Sequence, residues 1–298
     1  MRERNILLPQ PSEKTEIAHE LNKSPTTETV EGIEIHLLLD GIFQRYGYDF
    51  RNYTRAALKS RVRYCMWEER VNSVSALQEK ILYDAGCWER CLYAFSVSVT
   101  SMFRDAGFYL AFKEKVVPLL CNYPLVRIWH AGCASGEEVY SISILLHEAG
   151  LYEHALIYAT DMNASLLGRA SAGVYSREKM KEYGENYRQA QGKGALADYY
   201  LPHEEGFIFR DELKKNIIWA QHNLVSDSSF NEFQVILCCN VLIYFDRVLQ
   251  TRVHKLLYES LAPGGMLGLA GRESTRFSPY AACYEEMDAI AKWVRRIG

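Results

Sequence analysis

The chain has 298 residues, 48% apolar and 24% charged, the make-up of an ordinary globular protein with room for one large domain or a small and a medium one. Nineteen Gly and eight Pro exclude a collagen-like or proline-rich chain, and a net charge of −3 argues against a dedicated nucleic-acid binder, which carries a basic excess. Aromatics are abundant: 20 Tyr, 12 Phe and 5 Trp can fill a core and still line a pocket. Residues 1–10 lack the basic start and apolar centre of a secretory signal. The most apolar run, Val235 to Phe245, is well short of the ~20 residues that cross a bilayer. A cytoplasmic protein without membrane insertion is therefore expected. Eight cysteines with no CxxC pair read as buried thiols, and no metal site is expected.

Residues 1–30 are polar, without a sustained period, and are expected to form a mobile N-terminal tail. From 31 to 97 the pattern is helical, with Ile33, Leu37, Leu38, Ile42 and Phe43 at spacings of three and four and Leu77, Ile81 and Leu82 repeating it. This all-α N-terminal domain is too small for much core of its own and should pack on the C-terminal part of the chain. From 98 to 298 the short apolar runs Val126–Trp129, Leu156–Ala159, Ile217–Ala220, Val235–Cys238 and Met266–Ala270 alternate with helical stretches at Val139–Glu148, Ala164–Ala172 and Leu249–Leu261. Such alternation implies an α/β domain whose parallel sheet is covered on both faces, with ligands at the carboxyl ends of its strands. The Tyr-rich stretch Tyr175–Arg210, with Gly184, Gly192, Gly194 and Gly206, breaks the alternation and reads as an insertion at about 175–215.

Val126-Arg-Ile-Trp-His-Ala-Gly-Cys-Ala-Ser-Gly-Glu-Glu138 is a strand, a loop of small residues and a helix start. Gly132 and Gly136 allow close backbone approach, but the loop is not GxGxxG and has no lysine for a phosphate. Glu137 and Glu138 would repel a phosphate and suit a cation, or else simply favour the positive end of the helix. Asp161, ending the next strand, can accept ribose hydroxyls or cap the helix after it. Asn223 and Asn240, at two further strand ends, can each present a donor and an acceptor. A ribose carboxylate beside an acid-tolerant glycine loop points to S-adenosylmethionine, which has a ribose and a sulfonium but no phosphate.

Ser98-Val-Thr-Ser-Met-Phe-Arg-Asp105, Trp129 to Tyr140, Ala159-Thr-Asp161, Asn240-Val-Leu-Ile-Tyr-Phe-Asp246 and Pro263-Gly-Gly265, in this order, resemble the CheR family of chemotaxis-receptor protein-glutamate O-methyltransferases. The resemblance runs from about residue 31 to the end. It implies a Rossmann-like S-adenosylmethionine methyltransferase sheet with a small inserted β-subdomain, preceded by an all-α domain that helps recognise the receptor. It places Ser98, Thr100, Arg104, Gly132, Glu138, Asp161, Asn223, Leu224, Cys239 and Asn240 at cofactor-contact positions, and Arg104 and Tyr244 nearest the transferred methyl. The expected substrate is a chemoreceptor or receptor-like protein, with recruitment to membrane-bound receptors, and the expected product is S-adenosylhomocysteine. Three positions depart from the family pattern: Ser98 stands where Asn is usual, Cys239 where Arg is usual and Asp105 where Glu is usual. The first two keep open an alternative, a signalling or scaffold protein that binds the cofactor or its product without turnover.

Methylating a glutamate needs no general base, because its carboxyl ionises near pH 4.3. Arg104 is a candidate carboxylate clamp, its planar fork matching two oxygens. Arg51, Arg55, Lys59 and Arg63 recur every four residues within a segment, 45–63, that holds one acid, Asp49. On a helix they would form one slowly drifting stripe able to attract an acidic substrate.

Overall fold

The computed structural model describes residues 29–96 and 100–298. Most of the expected tail, and Ser98, lie outside the described residues.

Four helices open the described chain, three of them with a capping side chain. Helix α1 spans Val30–Tyr46, with the Thr29 side chain accepting from Gly32 N–H and Gly47 closing it at φ 78°. Helices α2 (Arg55–Glu68), α3 (Val74–Tyr83) and α4 (Ala85–Phe95) come next, the last two capped by Ser73 and Asp84. The seam of α1 is Ile35, Leu38, Leu39 and Ile42. Of the expected stripe, Ile33, Leu37 and Phe43 face outward, at 49%, 53% and 38% exposure. The apolar run is wider than the face α1 can bury, and Phe43 instead carries the Arg51 guanidinium 4.2 Å from its ring centre.

A connecting segment leads through α5 (Ala106–Ala111), a π-helical turn (Phe112–Val116) and α6 (Val117–Leu120) into the sheet. Its strands are β1 (Val126–Ala131), β2 (Ala155–Asp161), β6 (Ile217–Gln221), β7 (Phe233–Cys238), β8 (Leu261–Leu269), β9 (Tyr284–Asp288) and β10 (Trp293–Arg296). They are ordered β6-β2-β1-β7-β8-β10-β9. The β6-to-β8 part is parallel, while β10 runs antiparallel to both β8 and β9. The sheet is therefore mixed rather than all-parallel, because the short link from β9 to β10 permits only a hairpin. Strand order reverses between β1 and β7, so the crevice at their carboxyl ends is where an open sheet of this kind takes its ligand.

Successive residues of each strand serve opposite faces. Ile128, Val235, Leu237 and Met266 pack with α7 (Glu137–Glu148) and the connecting segment. Trp129, Ala131, Ile236, Cys238, Leu267 and Leu269 pack on the other side with α10 (Arg247–Ser260) and with Leu38, Phe50, Leu77 and Phe95 of the helical domain. The four N-terminal helices thus share a core with the sheet. Of the eight thiols, Cys65, Cys87, Cys91, Cys133 and Cys238 are buried, whereas Cys121 is exposed.

Helix α8 (Ala164–Ala172) leads into the insertion, where β3 (Val174–Tyr175), β5 (Gly206–Phe209) and β4 (Tyr200–His203) form an antiparallel sheet in that order. Gly206 is required here, since a Cβ would lie 2.2 Å from the Tyr175 carbonyl oxygen. The stretch also contains α9 (Met180–Gln189), which buries Tyr183 and Tyr187 one helical turn apart and carries Gly184 inside it.

Candidate functional site

The loop after β1 is built for close approach. Gly132 has φ 79°, and a Cβ there would fall 2.7 Å from Val241 Cγ2. Gly136 has φ 89°, with Ala170 Cβ at 2.9 Å from the corresponding point. Gly132 and Cys133 N–H both donate to the Thr160 carbonyl, and Ala134 N–H donates to Asp161 Oδ2 at 2.9 Å. Asp161 Oδ1 accepts from Asn163 N–H at 2.9 Å. Burial raises the Asp161 carboxyl above its usual range, opposed by these N–H donors. Each oxygen retains a lone pair for a further donor.

The two adjacent carboxylates behave differently. Glu137 is fully buried and accepts from Ser135 Oγ (2.6 Å), Lys179 Nζ (3.0 Å) and Tyr183 OH (3.1 Å), tying the insertion to the start of α7. Glu138 borders a cavity with Arg104, Asp105, Tyr109, Cys239 and Asn240. Desolvation pushes its carboxyl up to about 7, against a hydrogen bond from the Cys239 thiol and the nearby charge of Arg104. Cys239, which stands where the family pattern usually has Arg, thus keeps one weak donor for Glu138 and supplies no charge.

An adjoining cavity is bordered by Gly132, Asp161, Asn223, Leu224, Cys239, Asn240 and Tyr244, and by Tyr53, Arg61, Phe95 and Ser96 of the helical domain. Asn240 has φ 59°, a conformation Asn tolerates. Thr100 and Arg104 border a third cavity, beside Ser135, Arg169 and Lys179. Arg104 is shared by the first and third of these spaces, and Cys239 and Asn240 by the first two. The expected cofactor and catalytic residues that are described thus border these adjoining cavities at the carboxyl ends of β1, β2, β6 and β7.

The basic stripe is different. Helix α2 begins at Arg55, so Arg51 sits before it and pairs with Asp49 (2.8 Å) and Asp40 (3.2 Å). Lys59 and Arg63 both pair with Glu31 of α1, at 3.0 and 2.8 Å, which lowers the Glu31 carboxyl below its usual range. Counting acids only within 45–63 overlooks Glu31 and Asp40, which folding brings onto the same surface. The basic residue of α2 that reaches the cleft is Arg61, on the face opposite Lys59 and Arg63. It is 8% exposed and lies 4.3 Å from the Tyr244 ring centre, and its Nη1 has no partner among the described residues. Burial pulls its pKa down from the usual value.

The turn after β7 joins both halves. Thr54 N–H donates to the Tyr244 carbonyl and Asp246 N–H to the Asn52 carbonyl, each at 2.8 Å. Tyr53 meets Phe245 edge-on at 5.1 Å.

The sequence profile described as CheR methyltransferase, SAM binding domain matches residues 98–282, and that described as CheR methyltransferase, all-alpha domain matches residues 33–96. The chain belongs to the CheR methyltransferase family. Within it, the Pseudomonas putida protein named Cher3 is 44% identical over 262 residues, covering 88% of this chain and 96% of that one. A chemotaxis protein methyltransferase of Listeria monocytogenes is 27% identical over 229 residues, covering 76% and 84%. The N-methyltransferase NodS of Bradyrhizobium japonicum, solved with S-adenosylhomocysteine, is 16% identical with a TM-score of 0.32 over 65% of this chain and 70% of that one, too distant to add to the assignment. As a member of the CheR family the chain is an S-adenosylmethionine-dependent methyltransferase with an all-α domain ahead of a Rossmann-like sheet.

Proposed function

We propose that this methyltransferase converts glutamate side chains of a chemoreceptor or receptor-like signalling protein to methyl esters, leaving S-adenosylhomocysteine. The observation that carries the acceptor class is the pair of arginines at the cleft. Arg61 and Arg104 come from separate domains, and Arg61 is buried with Nη1 unpaired among the described residues. A buried guanidinium nitrogen without a hydrogen-bond acceptor is costly, and an incoming carboxylate would relieve that cost.

The cleft also suits the cofactor. Gly132 leaves room that a side chain would fill, Asp161 keeps acceptor capacity for ribose hydroxyls, and the partly ionised Glu138 suits an ammonium. Thr100, Asn223, Leu224, Cys239 and Asn240 would complete the contacts, with Ser98 as a further expected one. When bound, the cofactor supplies an electrophilic methyl on a sulfonium. The chain's task is to orient the acceptor and exclude water, which together can supply roughly 7–11 kcal/mol. Arg104 and Arg61 would hold the two acceptor oxygens, and Tyr244, against Arg61, would wall the methyl path. Because Arg51, Lys59 and Arg63 are paired on α2 and its approach, the stripe that they form with Arg55 would act only as an outer field around an acidic substrate.

The decisive experiment incubates the protein with methyl-tritiated cofactor and receptor-bearing membranes. Protein-bound label released as methanol by mild base, as from an ester, is expected. Base-stable label would overturn the glutamate reading. Absence of label beside intact binding of S-adenosylhomocysteine would favour a non-catalytic binder, the reading that Cys239 supports by leaving Glu138 without a neighbouring arginine at that position.

A further inference from the structure

We propose that Glu273, in the loop after β8, is a positioning residue for cofactor binding: it holds the 240–242 turn that presents Asn240 and leads to Tyr244. This rests on the reading of the cleft as the cofactor site. Glu273 is 3% exposed and lies outside the set of residues bordering the cavities at Asn240. Its Oε2 accepts from Asn240 N–H (2.9 Å) and Ala270 N–H (3.3 Å), and its Oε1 from Leu242 N–H (2.7 Å). Asn240 at φ 59° followed by Val241 at φ −105° is a left-handed residue followed by a right-handed one. That sequence of conformations turns successive N–H groups towards one point, which suits an anion. Here the anion is the chain's own carboxylate.

Without it, the N–H groups of Asn240 and Leu242 after β7 and of Ala270 after β8 would lose their acceptor. Glu273 is itself fixed, since Lys292 Nζ donates to its carbonyl at 2.9 Å and also to the Gly271 carbonyl. Gly271 closes against the same turn: a Cβ at that position would lie 3.2 Å from Asn240 Nδ2. The charge of Glu273 therefore acts through the backbone of residues 240–242 on Asn240 and Tyr244.

Titration calorimetry with S-adenosylhomocysteine tests this, because it reads affinity separately from the folded fraction. Glu273→Gln keeps the shape but turns an amide donor towards the backbone donors. It should raise the Kd by about tenfold or more, the cost of roughly one unsatisfied buried donor. Glu273→Asp, which keeps the charge, should recover part of the loss. A merely structural role would lower the binding stoichiometry and the thermal midpoint and leave Kd at the wild-type value, and that result would overturn the proposal. If Glu273→Gln does not fold, Lys292→Ala loosens the same loop from outside. A few-fold rise in Kd would then support the clamp, and an unchanged Kd would overturn it. Failure of the unsubstituted protein to bind S-adenosylhomocysteine would remove the cofactor reading itself, a result distinct from normal binding that is indifferent to Glu273.

Discussion

Glu138 sits where two influences oppose each other. Desolvation lifts its carboxyl to about 7, while the Cys239 thiol and the Arg104 charge favour the ionised form. If the cofactor ammonium pairs with it, only the ionised carboxyl binds well. Affinity for S-adenosylhomocysteine should therefore fall as pH drops below about 7, by up to tenfold per unit, and level off above it. Glu138→Gln should flatten that profile in calorimetry on either side of neutral pH. Cys239→Arg would bring a cation to the carboxyl and move the midpoint downward. For Arg104→Ala we expect a loss of methyl incorporation on the order of 10²-fold or greater with an unchanged circular dichroism spectrum. Wild-type turnover would exclude Arg104 from the reaction.

At the scale of elements, the site depends on turns more than on strands. Gly132→Ala would put a Cβ 2.7 Å from Val241 Cγ2 at φ 79°, a strain of about 1–2 kcal/mol from the backbone alone. We expect weaker cofactor binding along with a lower thermal midpoint; unchanged affinity would show that the loop does not touch the ligand. Tyr244→Phe should slow turnover and leave cofactor affinity near normal, checked by initial rates beside calorimetry. How much of this region is legible in the sequence depends on how local each signal is. Gly132, Asp161, Asn223 and Asn240 are each announced by a short apolar strand ending in small or polar residues, and the fold places them around one cleft. Arg61 and Glu273 are not announced in this way. Arg61 lies among basic residues spaced four apart, and only the helix geometry sets it on the opposite face from Lys59 and Arg63. Glu273 meets Asn240 at a separation of 33 positions along the chain, and no local pattern marks a carboxylate that serves a distant turn. The acids that pair with the stripe, Glu31 and Asp40, are likewise supplied by α1 through packing.

At the scale of the molecule, the helical domain and the sheet share apolar side chains, so neither half should melt separately. Phe50, 1% exposed and in ring contact with Tyr53 and Phe95, lies in that common core. Phe50→Ala should cost about 3–5 kcal/mol and shift one calorimetric transition as a whole; two separated transitions would refute a common core. The hydrogen-bonded contact of Asn52–Thr54 with Tyr244–Asp246 has a further consequence for how such proteins can be recombined. A hybrid that takes its helices from one relative and its sheet from another would place an unfamiliar segment 52–54 against the turn bearing Tyr244. Transplanting the helices should therefore preserve the fold and the turn bearing Tyr244 only when residues 52–54 and 244–246 travel from the same parent, since together they form an inherited pair.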